Sequence, residues 1–328
     1  MLPTIGSCII VGSGLSGLVA ARTLQDAGTR VTVLEAEDKL GGRMRTDRVD
    51  GGVFDHGAQF FTARGDRFTE MVEAWQAAGV AAVWSRGFAD AEGNRNEDGY
   101  PRYMGVGGMT AIAEHLSCGL DARTGVEVRR ISADGGGWKA VAGAEDYGAD
   151  ALVLAMPAPP ALDLVDRSGV TLPSKARRDL ENIVYQPCIG VLAVLGGEGG
   201  VPEPGGVQIG GEPLFFVSDN RRKGISEETA LTIHAGPEFS REHAHTDDAR
   251  VTQLLLEEAK DYLGGSKVEE TTVYRWKYSM PAEPHGEKVV YVEVPPPLLF
   301  CGDAYGGPKV EGAVMSGRAA AEKLLGAR

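Results

Sequence analysis

The chain has 328 residues, 43% hydrophobic and 24% charged, which suits a soluble globular protein large enough for two domains. Its formal net charge is −13, and Arg221-Arg222-Lys223 is its longest basic run, so a nucleic-acid-binding role is excluded for want of a basic face. The four cysteines, Cys8, Cys118, Cys188 and Cys301, form no CxxC and no Cys/His spacing for a metal.

An apolar β-branched run, Ile9 to Val11, meets Gly12-Ser-Gly14-Leu-Ser-Gly17 and an apolar-periodic helix through Leu18, Ala21 and Leu24. A second β run, Val31 to Leu34, ends at Glu35. This is the order of a βαβ unit with a phosphate-binding turn. Gly12 makes the tight turn, Gly14 lets a pyrophosphate approach bare backbone, and Gly17 allows close helix packing. Glu35 lies 18 residues past Gly17, where a carboxylate accepts hydrogen bonds from a ribose diol and repels a 2′-phosphate. Lys39-Leu-Gly-Gly42-Arg43-Met-Arg45 then reads as a loop folding back over the dinucleotide, with a guanidinium on phosphate.

Further along, Phe68 to Ala78 reads as an amphipathic helix, residues 85–104 as a polar hairpin excursion, and Thr110 to Leu116 as a helix. Val126 to Ile131 and Trp138 to Val141 read as antiparallel strands, and Ala151 to Ala155 as a buried strand ended by prolines. From about residue 160 the pattern changes. A helix over 174–182, strands over 188–195, 214–218, 230–235 and 269–279, and a helix over 247–263 capped by Thr246 or Asp247 predict a mainly antiparallel second domain. Leu298 to Cys301 returns to apolar strand, delivers Asp303, and leads into a final small-residue helix.

The expected architecture is α/β. A Rossmann-type dinucleotide domain with a parallel sheet covers 1–84, 105–160 and 296–328, and an α+β substrate domain covers 85–104 and 161–295. No run of ~18 apolar residues marks a membrane span. The first strand opens within ten residues of Met1, so no signal peptide is expected, and the expected setting is soluble, reducing and cytoplasmic.

Taken together, VGSGLSGLVAARTL, LEAEDKLGGRMRT, VEVRRI and the terminal LLFCGD…VEGAVMSGRAAAEKL resemble the amine-oxidase-type flavoproteins with a glutathione-reductase-like FAD fold. The wording of FDHGAQFFTAR, LTIHA, YRWKYSMPAEP and CGDAYGGPKVEGAVMSG most resembles the renalase-like enzymes. The resemblance implies non-covalent FAD, with Gly12, Gly14, Gly17, Gly42 and Arg43 near the pyrophosphate and Glu35 on the adenosine ribose. It further implies the Val128 backbone at the adenine edge and Asp303 on the ribityl chain or pyrophosphate. Glu311, Gly312 and Ala313 would lie by the pyrimidine end of the isoalloxazine.

The implied substrate is a small molecule, a dihydronicotinamide dinucleotide with its hydride at C2 or C6, oxidised with O2 as acceptor and H2O2 as product. His234, Gln59, Tyr305 and Trp276 are the candidate substrate-side residues, with Tyr278 a further aromatic wall. Many amine oxidases carry a lysine on a substrate-domain strand, but none occurs here between Asp179 and Arg222, which points away from plain amine oxidation. An amine oxidase or desaturase-like enzyme on the same scaffold, and a non-catalytic flavin sensor, are the alternatives.

Overall fold

Ser7–Val11 is the hub of the first half of the molecule: every residue of this SCIIV strand is buried, and parallel strands flank it on both sides. In the computed structural model, which describes residues 5–292, 296–307 and 309–326, the chain divides into two compact units. The first comprises Met1–Gly42, Ala113–Val184 and Met280–Arg328, and the second Arg43–Ile112 and Tyr185–Ser279.

Among the described residues, the first unit holds a six-stranded sheet in the order Val290–Val292, Leu298–Phe300, Ala151–Leu154, Ser7–Val11, Arg30–Leu34, Asp121–Arg123. All its pairs are parallel except the outermost, Val290–Val292 with Leu298–Phe300. The inner strands are continuous apolar runs, as a sheet covered on both faces requires. The helix Leu15–Asp26 buries Leu18, Ala20, Ala21 and Leu24. Leu24, Ala20 and Ala21 share one core with Ile10, Val33 and Val153 of the strands and with Ala320 and Ala321 of the last helix, Lys309–Leu324.

The second unit is organised on a seven-stranded sheet. Its order is Val268–Pro281, Tyr185–Leu195, Thr229–Ala235, Leu214–Asp219, Gly206–Gln208, Phe88–Ala89, Arg95–Asn96. The pairs from Tyr185–Leu195 through Gly206–Gln208 are antiparallel. Thr229–Ala235 (TALTIHA) is buried along its full length because it lies inside the sheet with both faces covered. The helix Asp248–Glu258 starts at Asp247, whose carboxylate accepts the Arg250 N–H, so Asp247 and not Thr246 is the cap.

Two sequence expectations differ from the structure, and one helix was not anticipated. The strand expected over 126–131 begins only at Arg130, because Val126 N–H donates to the Glu35 carbonyl and the Val128 carbonyl accepts from Arg167. A helix, Ala158–Arg167, follows the prolines that end Ala151–Leu154, with proline in its first turn, where no N–H partner is needed. The division of the chain differs most. Residues 43–84 and 105–112 belong to the second unit, since Gly52–Asp55 lies against Thr229–Ala235 and Thr232 donates to the Asp55 carbonyl. Residues 161–184 and 280–292 belong to the first, where Ser174–Glu181 packs on Val290–Val292 and Ile131 N–H donates to Ser168. The expected 295/296 boundary lies beside residues 293–295, outside the described residues.

Candidate functional site

In the first unit, the glycine-rich turn is built by contacts that no side chain would tolerate. A Cβ at Gly17 would fall 2.1 Å from the Gly12 carbonyl oxygen, and one at Gly12, where φ is +106°, would fall 2.6 Å from the Ala155 carbonyl. Gly14 differs: a Cβ there would meet nothing within 4 Å, and Gly14 caps Leu15–Asp26 with no side-chain hydrogen bond. Helix-end N–H groups therefore face open space across a backbone with no side chain, the geometry that suits a pyrophosphate. Gly42, with φ +53°, lies over this turn, its Cβ direction 3.4 Å from Gly14 Cα, while Gly41 N–H donates to the Ser13 carbonyl.

Glu35 is held at the same turn. Its Oε2 accepts the Ser13 N–H at 2.8 Å and hydroxyl at 2.6 Å, and its Oε1 accepts the Glu37 N–H at 3.0 Å. A carboxylate offers about four acceptor sites, so ribose hydroxyls have a lone pair left to use. Val128 is buried close behind the Gly125–Val126 backbone, which is tied to Glu37 and Glu35.

The tail of the chain reaches the same unit. Gly317 packs on the first helix so closely that a Cβ would lie 2.1 Å from the Ser16 carbonyl oxygen. Asp303 is buried at the start of the short helix Asp303–Gly306. Gly312 meets the Gly307 backbone directly, which places Glu311, Gly312 and Ala313 against that turn in the first helical turn of Lys309–Leu324. Ser316 braces both ends, accepting the Gly302 N–H and donating to the Lys288 carbonyl. Tyr305 is buried here, its ring edge-on to His285.

The second unit contains a different construction around the FDHGAQFF segment. The backbone carbonyls of Asp55, His56, Gly57 and Gln59 all accept side-chain donors. Asp55 O accepts Thr232 Oγ1 at 3.0 Å and the Gln59 amide, which also reaches Gly57 O. His56 O accepts both His234 Nε2 at 3.0 Å and Trp276 Nε1 at 2.9 Å. Gln59 O accepts Lys223 Nζ at 2.6 Å, and Ser218 donates to Gln59 Oε1. Asp55 is saturated as well, with Thr46 and the Met109 N–H on Oδ1 and Lys223 on Oδ2 at 2.6 Å.

Gln59, His234 and Trp276 are thus brought together, but what they hold is backbone. Arg43, expected on phosphate, donates to the Tyr278 and Ser279 carbonyls. Lys223 and Asp55 form a fully buried ion pair that the sequence reading did not single out. One signal was available: a lone carboxylate between Phe54 and Gly57 in an apolar stretch requires a buried counter-charge.

The profile of the family described as flavin containing amine oxidoreductase matches residues 15–75 and 76–325. The chain belongs to this family. Its cofactor is FAD and its class that of an oxidoreductase, and the turn and the Glu35 carboxylate suit the adenosine diphosphate half of such a cofactor. An L-amino acid dehydrogenase of Synechocystis sp. is 45% identical over 69 residues, 21% of this chain and 15% of the relative. Polyamine oxidase 2 of Arabidopsis thaliana is 50% identical over 54 residues, 16% of this chain and 11% of the relative. The aligned stretches therefore span a small part of these relatives. The crystal structure of cyclohexylamine oxidase from Brevibacterium oxydans superposes with a TM-score of 0.73 over 99% of both chains at 17% identity, a likeness of fold. Among the described residues, no helix of this flavoprotein is long and apolar enough to cross a membrane.

The side chains that hold the carbonyls of residues 55–59 form a clamp on this segment, and the clamp has its own electrostatics. His56 lies between the rings of Tyr274 and Trp276, with centroids at 4.1 and 5.3 Å, and its Nε2 is 3.2 Å from Asp47 Oδ2. Burial lowers its pKa from 6.5 to about 4, against the upward pull of Asp47, with Arg45 and His234 adding to the lowering and Asp55 opposing it. Burial lowers the pKa of His234 too. Both rings are neutral near pH 7, and the bond to His56 O assigns the His234 proton to Nε2.

Because the folded state binds the His56 proton more weakly than the unfolded chain, its contribution to stability is complete above pH 6.5. It is lost as pH falls toward 4. Urea midpoints measured between pH 7 and 4 are expected to fall by the equivalent of about 3 kcal/mol, and a His56→Phe variant, which cannot be protonated, is expected to lose that part of the slope.

Proposed function

We propose that this chain is a renalase-like oxidase that converts 2- or 6-dihydro isomers of NAD(P)H to NAD(P)+, carrying FAD non-covalently. FAD, when bound, supplies the hydride acceptor at N5 and passes the electrons to O2 as H2O2. The observation that carries this reading is the commitment of the clamp's basic groups. Lys223 is tied to Asp55 and the Gln59 carbonyl, and His56 and His234 are buried as weakened bases.

An alkylammonium substrate must release a proton before its C–H bond delivers hydride, which calls for a base. A dihydropyridine only loses hydride, and the ring becomes an aromatic cation. Such a reaction asks the protein for orientation. In this reading the second unit carries substrate recognition, with His234 Nδ1 as an acceptor for a carboxamide or ribose hydroxyl and Gln59 and Trp276 shaping the surroundings.

The second reading, amine oxidation, is favoured by the family profile and by the polyamine oxidase relative. Anaerobic mixing decides between them. Borohydride-generated NADH isomers are expected to bleach the visible flavin absorbance stoichiometrically, with recovery and H2O2 on admitting oxygen, while putrescine and cyclohexylamine leave the spectrum unchanged. Bleaching by the amines alone establishes the second reading, and no bleaching by either leaves a flavin-binding sensor.

A further inference from the structure

We propose that Lys223 is a positioning residue: its bond to the Gln59 carbonyl sets the backbone of residues 55–60, the segment through which the second unit recognises substrate. The latter half rests on the proposed function. The geometry of the former stands alone.

Lys223 is 2% exposed. The turn that delivers it is built by Asp219, whose carboxylate accepts the Arg221 and Arg222 N–H groups while its carbonyl accepts the Lys223 N–H. Nζ meets three partners at once, Asp55 Oδ2 and Gln59 O at 2.6 Å each, with the Trp84 ring centroid at 4.6 Å. An ammonium has three donors, and one of them here is spent on a carbonyl four residues past the carboxylate, so the same group that balances Asp55 also ties down the main chain at Gln59.

The other donors to this segment enter beside it: Thr232 and Gln59 on Asp55 O, and His234 and Trp276 on His56 O. Gly57, Ala58 and Phe60 remain partly exposed, so the segment is gripped by its carbonyls and presents what is left. Phe60 then sits in an aromatic group with Phe88, Phe216 and Trp84, at centroid distances of 5.0, 5.8 and 6.5 Å. Lys223 adds a second link from the far end of the gripped backbone, through Trp84, to that group.

The test separates positioning from charge balance. In the double variant Asp55→Asn/Lys223→Met the buried charges vanish together, so stability is expected to stay near wild type, but Gln59 O loses its donor. Amide exchange is read on the full chain. The Ala58 and Phe61 N–H groups, which donate to Arg43 O and Tyr103 O, report on the segment. Their exchange in the double variant is expected to rise about tenfold or more, with the strand Tyr185–Leu195 unchanged. Single-turnover hydride transfer per bound flavin, from the dihydronicotinamide isomers, is expected to fall about tenfold in parallel.

Recovery of wild-type exchange together with stability in the double variant would show that Lys223 only balances Asp55, and the inference fails. Should the double variant not fold, Asp55→Asn alone keeps the bond to Gln59 O, and exchange at these amides, taken relative to the strand Tyr185–Leu195 so that general destabilisation cancels, is expected to stay within about threefold of wild type. A tenfold rise there overturns the inference. Wild-type protein inert toward the isomers would defeat the proposed function and leave the exchange result to decide this one.

Discussion

Lys223→Met alone is expected to destabilise the protein by about 3–5 kcal/mol, the cost of stripping one partner from a fully buried ion pair. The two side chains have no measurable exposure, so no solvent screens the carboxylate left behind. Asp55 would keep the Thr46 hydroxyl and the Met109 N–H on Oδ1, but Oδ2 would lose its cation and stand as an uncompensated buried charge. Burial lowers the Lys223 pKa and Asp55 opposes that shift, so the carboxylate is what favours the charged ammonium here. Denaturant titration followed by circular dichroism checks the value. A loss below about 1 kcal/mol, typical of exposed pairs, would mean that water reaches the site.

The second large effect concerns the glycine turn, where two substitutions three residues apart should separate folding from cofactor binding. Gly17→Ala drives a methyl to 2.1 Å from the Gly12 carbonyl oxygen, a backbone atom that cannot step aside without opening the turn. Overpacking of this kind costs about 1–3 kcal/mol or more, and both the melting temperature and the flavin content of the purified protein should fall. Gly14→Ala meets no neighbour, and its φ of −63° is one that alanine adopts freely. Its fold and melting temperature should survive, while the methyl stands where a pyrophosphate must approach, weakening FAD affinity by about tenfold or more. Equal flavin affinity in Gly14→Ala and wild type would remove the pyrophosphate from this turn.

Both predictions bear on how the molecule could be read. The βαβ unit was legible because its rules are local. Strand, glycine spacing, helix and acid follow one another within 42 residues, and each glycine answers to a clash or approach that any chain at that turn would meet. The tail was legible by the same logic, and its helix does lie against the first one, with Gly317 on the Ser16 backbone.

The clamp was not legible. His234 and Trp276 stood out as a polar and an aromatic residue in strands, and Gln59 as part of the FDHGAQFF segment. Residue type alone does not say whether such a group faces a ligand or a backbone carbonyl, because that depends on what the fold carries past it from 164 or more positions away. Lys223 read only as the end of the longest basic run, since the turn at Asp219 that sends it inward while Arg222 stays outside is decided by hydrogen bonds to one carboxylate.

By itself, then, the amino-acid order determined the class of fold, the cofactor-binding turn and the acid beside it, all set by short-range sterics and hydrogen bonding. Only tertiary structure decided which strands share a unit and that residues 43–84 and 105–112 join the unit of the mainly antiparallel sheet. It also decided that the polar residues around His56 hold a segment of main chain. A buried carbonyl must find a donor, and the donor can come from any part of the chain that packing brings within 3 Å.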